Sequence, residues 1–358
     1  MVYKGVAGLD RDIGRLLGER LDKFKVVVMP DFFIDRIVEL PSLEVFLREV
    51  RSKIKSGGGS VHRLEQTEIR GGNAANTAYA LGRLGLSVDL IVVADRYSEL
   101  FLRSVFSSLT NVRIDTIKGE PGYTVSLEFP HKGRIVNVML SDVGDISKAG
   151  PDMMPVNYSK RISEADLVGV FNWAANMKGS ELAEDVFSKA SEKSVSTYFA
   201  PADLSGRKEE IPGLFSRLRG ILKILSINEN EARVMGKGLS VEPLPADYRP
   251  KDTVRSAELL SEVTGTRIDI HTSFGSASSY EGETHFAEAF KVEQNICTGA
   301  GDVWDAVNIT GYLLQIEPDE RLKLANAAAG LYISSNEAES PSREQITSFL
   351  KERRLSLS

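Results

Sequence analysis

Apolar positions along this chain alternate between a helical period near 3.6 residues and short continuous runs, and that alternation predicts layered helices and strands. Ile13, Leu16, Leu17, Leu21 and Phe24 share one helical face over residues 10–24, and residues 25–29 follow as a short buried strand. Residues 36–40 read as extended, 42–55 as an amphipathic helix, and the Ser-Gly-Gly-Gly-Ser run at 56–60 as a flexible break. Helix 74–84, strand 88–93, helix 98–107 and strand 111–117 then alternate in the manner of a parallel sheet covered by helices. The rhythm breaks at 124–129 and 134–140, two extended runs joined by Pro130, His131, Lys132 and Gly133, which predict a β-hairpin in a small second layer. It resumes with strands at 167–171, 195–200, 222–227 and 267–272 and helices at 180–191, 209–219, 228–235 and 252–264. Pro243, Pro245 and Pro250 mark a surface excursion, and the chain from Asp302 onward is mainly helical. An α/β doubly wound sheet is the simplest host for this order, which shows no internal repeat and no low-complexity tract.

Composition narrows the classes. With 358 residues, 42% of them hydrophobic, the chain is long enough to bury a substantial core. No run approaches the roughly 18 apolar residues of a membrane helix, and the charged stretch at 1–24 does not read as a secretory signal. A single cysteine, Cys297, excludes an internal disulfide, and His62, His131, His271 and His285 lack zinc-ligand spacing. The expectation is a soluble cytoplasmic protein without a structural metal. A net charge of -6 leaves no basic footprint for nucleic acid.

Two glycine-rich segments carry candidate chemistry. Cys297-Thr298-Gly299-Ala300-Gly301-Asp302 runs into the helical pattern Val303, Ala306, Val307, Thr310, Leu313 and Leu314. A glycine turn that opens a helix lets backbone N–H groups approach an anion, and the helix dipole favours negative charge there. Asp302 beside such an anion hole can orient a hydroxyl and accept its proton; the alternative is a capping Asp after an ordinary turn. Gly71-Gly72-Asn73-Ala74-Ala75-Asn76 begins the other helix, with Asn73 and Asn76 three apart presenting amides suited to hydroxyls on one face. Read alone, it also fits a tight loop with a capping Asn.

Together, GGNAANTAYALGRLG and CTGAGDVWDA resemble the two signature segments of the ribokinase or PfkB family of carbohydrate kinases. Asp31 to Asp35 resembles that family's first strand end, Asn228-Glu229-Asn230-Glu231 its N-x-x-E segment, and the runs at 325–328 and 341–344 its late helices. The resemblance implies a ribokinase-like doubly wound α/β/α sandwich across residues 1–358, with a small β-sheet lid built from 31–42 and 120–146. It implies that Asp31, Asp35, Gly71, Gly72, Asn73 and Asn76 bind the acceptor, that Gly299, Ala300 and Gly301 form the anion hole, and that Asp302 is the base. Ser273, Gly275, Thr298 and Asn326 would contact the nucleotide, ATP or ADP, while Asn228 and Glu231 would hold Mg²⁺ or its waters. The implied partners are a sugar, nucleoside or sugar-phosphate acceptor such as ribose 1-phosphate, a nucleotide donor, and a second copy through the lid.

The segment departs from the family's D-T-x-G-A-G-D at Ile296 and Cys297, which removes a carboxylate commonly tied to potassium activation. Ser278 stands where the nucleotide loop at 271–278 commonly has a second glycine, leaving ATP and ADP both open. No G-x-x-x-x-G-K-[ST], H-R-D, D-F-G or G-x-G-x-x-G pattern is present, which excludes P-loop kinases, protein kinases and dinucleotide oxidoreductases. The competing class is a catalytically inactive sugar- or nucleotide-binding regulatory protein on the same fold. Cys297 reads as a small packed residue, and Trp173 as core or as a ligand-stacking aromatic.

Overall fold

The computed structural model describes residues 14–132, 134–296, 298–335 and 337–355. Ile13, Gly133 and Cys297, each part of an expectation above, lie outside the described residues.

Fourteen of the principal elements build the front of the chain and the small sheet between its halves. Strands β1 (Lys25–Met29) and β2 (Phe33–Glu39) lead to helix α1 (Leu43–Lys55), β3 (Glu65–Gly71), α2 (Asn73–Leu84), β4 (Ser87–Ala94), α3 (Arg96–Val105) and β5 (Val112–Lys118). Next come β6 (Gly122–His131), β7 (Arg134–Asp142), α4 (Tyr158–Ser163), β8 (Leu167–Phe171), α5 (Gly179–Ser191) and β9 (Ser196–Ala200). The remainder comprises α6 (Ile211–Leu218), β10 (Ile224–Asn228), α7 (Glu229–Gly238), α8 (Pro250–Thr264), β11 (Arg267–Thr272), β12 (Gly275–Tyr280) and β13 (Glu283–Glu288). Helices α9 (Ala300–Leu313), α10 (Pro318–Ser334) and α11 (Arg343–Leu355) complete it.

Nine strands form one sheet in the order β13-β12-β11-β10-β9-β8-β1-β4-β5, parallel from β11 to β5 with β12 and β13 antiparallel at the edge. Side chains alternate across it, as strand geometry requires. Val26 and Val28 enter a core built with α2, α9 and α10, while Val27 and Met29 enter a second core with α5, α6 and α8. Two buried faces explain why β1, β8 and β10 read as continuous apolar runs. The small sheet, β3-β2-β6-β7, carries its own cluster of Val38, Leu40 and Phe129, against which Leu43 and Phe46 of α1 pack.

Several expectations are corrected. The helix read over 10–24 stops at Gly18, and a 3-10 turn at Leu21–Lys23 follows, so Leu16 and Leu21 are buried while Leu17 is exposed. The helix read at 209–219 is present as α6, Ile211–Leu218, and a 3-10 segment, Leu204–Glu210, leads into it. The loop read at 271–278 is a hairpin: only Ser273 and Phe274 turn, and Gly275 to Ser278 pair with β11. β3 brings a strand from outside 31–42 and 120–146 into the small sheet.

Candidate active site

The carboxyl ends of the parallel strands converge on one crevice, where open α/β sheets bind ligands. Helix α9 starts there because Gly299 adopts φ +86°, and a Cβ at this position would lie 2.5 Å from the Tyr332 hydroxyl. The N–H groups of Ala300, Gly301 and Asp302 precede the first intrahelical bond, Val303 N–H to the Gly299 carbonyl at 3.2 Å. They are free to face an anion.

Asp302 lies in that first turn, buried, and α2 supplies its hydrogen-bond donors. Asn73 Nδ2 donates to one carboxylate oxygen and Asn76 Nδ2 to the other, both at 2.8 Å. No Lys or Arg among the described residues comes within ion-pair distance of it. Burial raises its pKa to about 8, against the two amide bonds that favour the charged form and with Asp305 and Asp31 adding repulsion. Such a group holds or releases a proton within the range in which a base must act.

Asp31 is committed to the scaffold. Its oxygens accept from the backbone N–H groups of Asn73 and Ala74, both at 2.8 Å, and from Asn172 Nδ2 at 2.9 Å. It thereby caps α2 and ties it to the end of β8. Asp35 lies closer to open space on β2, where burial raises its pKa to about 6. Gly71 makes room for it, since a Cβ there would lie 2.2 Å from the Asp35 carboxylate. Gly72 passes Phe32 Cα at 2.9 Å on the same measure and has φ +89°.

Behind the anion hole lies a cavity of about 700 Å³ lined by His271, Ser273, Phe274, Gly301, Trp304 and Asn326, among others. His271 stacks near Trp304 with ring centroids 5.0 Å apart, and burial lowers its pKa to about 4, so the imidazole is neutral. Ser273 shares a 3.0 Å hydrogen bond with the Tyr248 hydroxyl. The Asn326 amide is fully used within the chain: it accepts from Ser276 Oγ and Trp304 Nε1 and donates to the carbonyls of Ala287 and Glu288. It braces the cavity wall. Gly275, at φ +150°, could not carry a Cβ, which would lie 2.2 Å from the Ala287 carbonyl oxygen. Thr298 is half-buried just ahead of the glycine turn.

Asn228 and Glu231 form a reciprocal capping box. Asn228 Oδ1 accepts from the Glu231 N–H at 3.0 Å, and the Glu231 carboxylate accepts from the Asn228 N–H and Nδ2 at 2.9 and 2.7 Å. Burial raises the Glu231 pKa to about 7, and Asp302 lies near enough to add repulsion. Both Glu231 oxygens already accept from Asn228 and the side chain is buried, so the pair fits a metal ion through its waters better than by direct ligation. Among the described residues no group of three or more His, Cys, Asp or Glu surrounds a metal position.

The structure thus joins Asp302, Asn73, Asn76 and Asp31 by direct hydrogen bonds, sets Gly71 against Asp35, and lines one cavity with Gly301, Ser273 and Asn326. It also shows residues that the sequence did not single out. Asn172 follows a strand end in a left-handed conformation at φ 50°, a signal a polar residue after an apolar run can give. Arg70, Tyr332 and Trp304 gave none. Trp173 is core: it is fully buried, its Nε1 donates to Ser180 Oγ, and Arg207 stacks on it at 3.7 Å. No helix among the described residues is long and apolar enough to cross a membrane.

The family model for "pfkB family carbohydrate kinase" matches residues 42–345. Among solved structures, ribokinase from Arabidopsis thaliana, complexed with ribose and ATP, is 20% identical with a TM-score of 0.70, over 92% of this chain and 98% of that one. Adenosine kinase from Sinorhizobium meliloti is 19% identical with a TM-score of 0.68, over 93% and 99%. Phosphofructokinase-2 from Escherichia coli, in complex with substrates and products, is 13% identical with a TM-score of 0.70, over 92% and 99%. At these identities the structural likeness is one of fold.

Proposed function

Because the chain belongs to the pfkB family of carbohydrate kinases and has the ribokinase fold, we propose that it transfers the terminal phosphoryl group of ATP or ADP to a hydroxyl of a sugar, nucleoside or sugar phosphate, with Asp302 as base. The observation that carries this reading is the Asp302 carboxylate itself: it is buried at a helix N-terminus, held by two amides, and has no ion-pair partner among the described residues. Asn73 and Asn76 leave it able to accept a hydroxyl proton, while the N–H groups at 300–302 face the charge that develops on the transferred phosphoryl group. Asp35 and the bare backbone of Gly71 and Gly72 suit a polyhydroxylated acceptor, a ribose 1-phosphate among them. The cavity beside Gly301 and Ser273 suits the nucleotide.

Mg²⁺, held through water by Asn228 and Glu231, would supply charge neutralisation on the nucleotide phosphates. Residues 31–42 and 120–146, joined by β3, act as a lid over the acceptor. The exposed Val138, Met139 and Leu140 on that sheet suit a second copy of the chain. A coupled assay of ATP and ADP with Mg²⁺ against a panel of sugars, nucleosides and sugar phosphates tests the reading. One donor and acceptor pair turning over at enzymatic rates supports it; tight binding of ligands without any transfer would instead identify a regulatory protein.

A further inference from the structure

Resting on the assignment of Asp302 as base, we propose that Arg70 is a positioning residue for the reaction, fixing which end of the Asn76 amide faces Asp302 and placing a positive charge behind the pair. An amide can sit either way round, and only one way serves a carboxylate: Nδ2 must point at it, because Oδ1 would repel it. Arg70 Nε donates to Asn76 Oδ1 at 2.9 Å. Since a guanidinium has donors and no acceptor, that bond commits Oδ1 and leaves Nδ2 for Asp302, where it is found at 2.8 Å. Asn73 is tied to Asp31 through its backbone N–H, and Arg70 makes no hydrogen bond to it.

The brace is itself held. The Arg70 guanidinium lies 3.8 Å from the centre of the Tyr79 ring, a cation–π contact. The Tyr79 hydroxyl is tied to the Glu339 carboxylate at 2.9 and 3.1 Å. Asn76 and Tyr79 are three residues apart on α2, so one guanidinium spans a single helical face. The remaining groups that face Asp302 are acidic: Asp31 after β1, Glu231 on α7, Asp305 on its own helix and the Tyr332 phenol on α10, with Arg70 the cation among them. Arg70 has no carboxylate of its own within ion-pair distance among the described residues. Its charge therefore acts on the site, favouring the ionised form of the base.

Arg70→Met keeps an apolar chain against Tyr79 and removes the donor and the charge. It is expected to lower kcat about 10- to 100-fold, to leave the nucleotide KM within about twofold, and to move the acid limb of the kcat–pH profile upward. Arg70→Lys should recover part of the shift in that limb. The double variant Arg70→Met with Asn76→Ala should lose less than the product of the two single losses, because the Asn76 bond is broken once in both while the loss of the charge remains. A kcat within about threefold of wild type with an unmoved acid limb, or fully additive losses, overturns the proposal whatever happens to Tm. If Arg70→Met does not fold, Arg70→Lys and Arg70→Gln are read by the same profile. Asp302→Asn measured alongside separates the two claims: an active Asp302→Asn removes the base assignment, whereas an inactive one beside a normal Arg70→Met removes only the role of Arg70.

Discussion

At Asp302 a charge is taken out of water and given two neutral amides in place of a cation, and the site is the poorer in stability for it. The sign follows from the direction of the shift. Its folded pKa, about 8, lies above the ordinary value of 3.8, so between those values the folded chain holds a proton that the unfolded chain has lost. Stability from this group is then present at low pH and lost as pH rises towards 8. Asp302→Asn cannot titrate, so its Tm measured against wild type should rise steadily from pH 5 to pH 8.5. Glu231 and Asp305, both raised to about 7 by burial, slope the same way in both proteins and largely cancel in the difference. A pH-independent difference would mean that Asp302 is not protonated in the folded state. The two signature segments made Asp302, Asn73 and Asn76 legible only as a pair: each alone also fits an ordinary capped turn, and it is their joint resemblance to a family that singled the residues out. Arg70 was not legible: its meaning depends on Tyr79 and Asn76 meeting it on one side of α2, which a strand of exposed polar residues does not advertise.

Single elements show what the glycines are for. Helix α9 can begin where it does only with a residue at φ +86° that leaves the Tyr332 hydroxyl its place. Gly299→Ala should therefore cost about 1 kcal/mol or more in backbone strain and displace the first turn, lowering kcat at least about tenfold while both sheets stay folded. Stopped kcat loss at unchanged circular dichroism checks this; wild-type kcat would show that the turn's conformation is dispensable. The strands missed in the sequence, β3, β12 and β13, read EQTEIRG, GSASSY and ETHFAE. They lie at sheet edges or against polar partners, so the alternation that marks a half-buried strand is absent. The reading of 271–278 as a loop failed for that reason. The helices were easier, since α2 and α7 open with the glycine and Asn-x-x-Glu signals that end a loop.

Over the whole molecule, the parallel sheet with two apolar faces was legible because buried strands alternate with amphipathic helices over most of its length. The second sheet takes β3 as one edge, a strand that the sequence did not show, and so was only half legible. In that sheet the usual sense is reversed: Thr124 and Ser126 are buried while Val125 and Leu127 are partly exposed, and Thr124 Oγ1 meets Ser141 Oγ at 3.1 Å. A buried polar face that includes Asp35, the register partner of Thr124, suits a ligand better than a dry core. Acceptor binding should accordingly slow hydrogen exchange across 33–39, 65–71 and 122–142, with nucleotide alone doing much less. Unchanged exchange with a saturating acceptor would make the sheet a fixed wall.

The measurement that bears most directly on the account is the turnover of Asp302→Asn with the acceptor and donor found by the coupled assay, beside its acceptor affinity by calorimetry. The amide fills the same space but takes no proton, so kcat should fall by about 10²–10⁴-fold, with acceptor Kd within about threefold of wild type. A variant that retains kcat within about tenfold of wild type would contradict the account, because phosphoryl transfer would then proceed without the carboxylate around which the site is built.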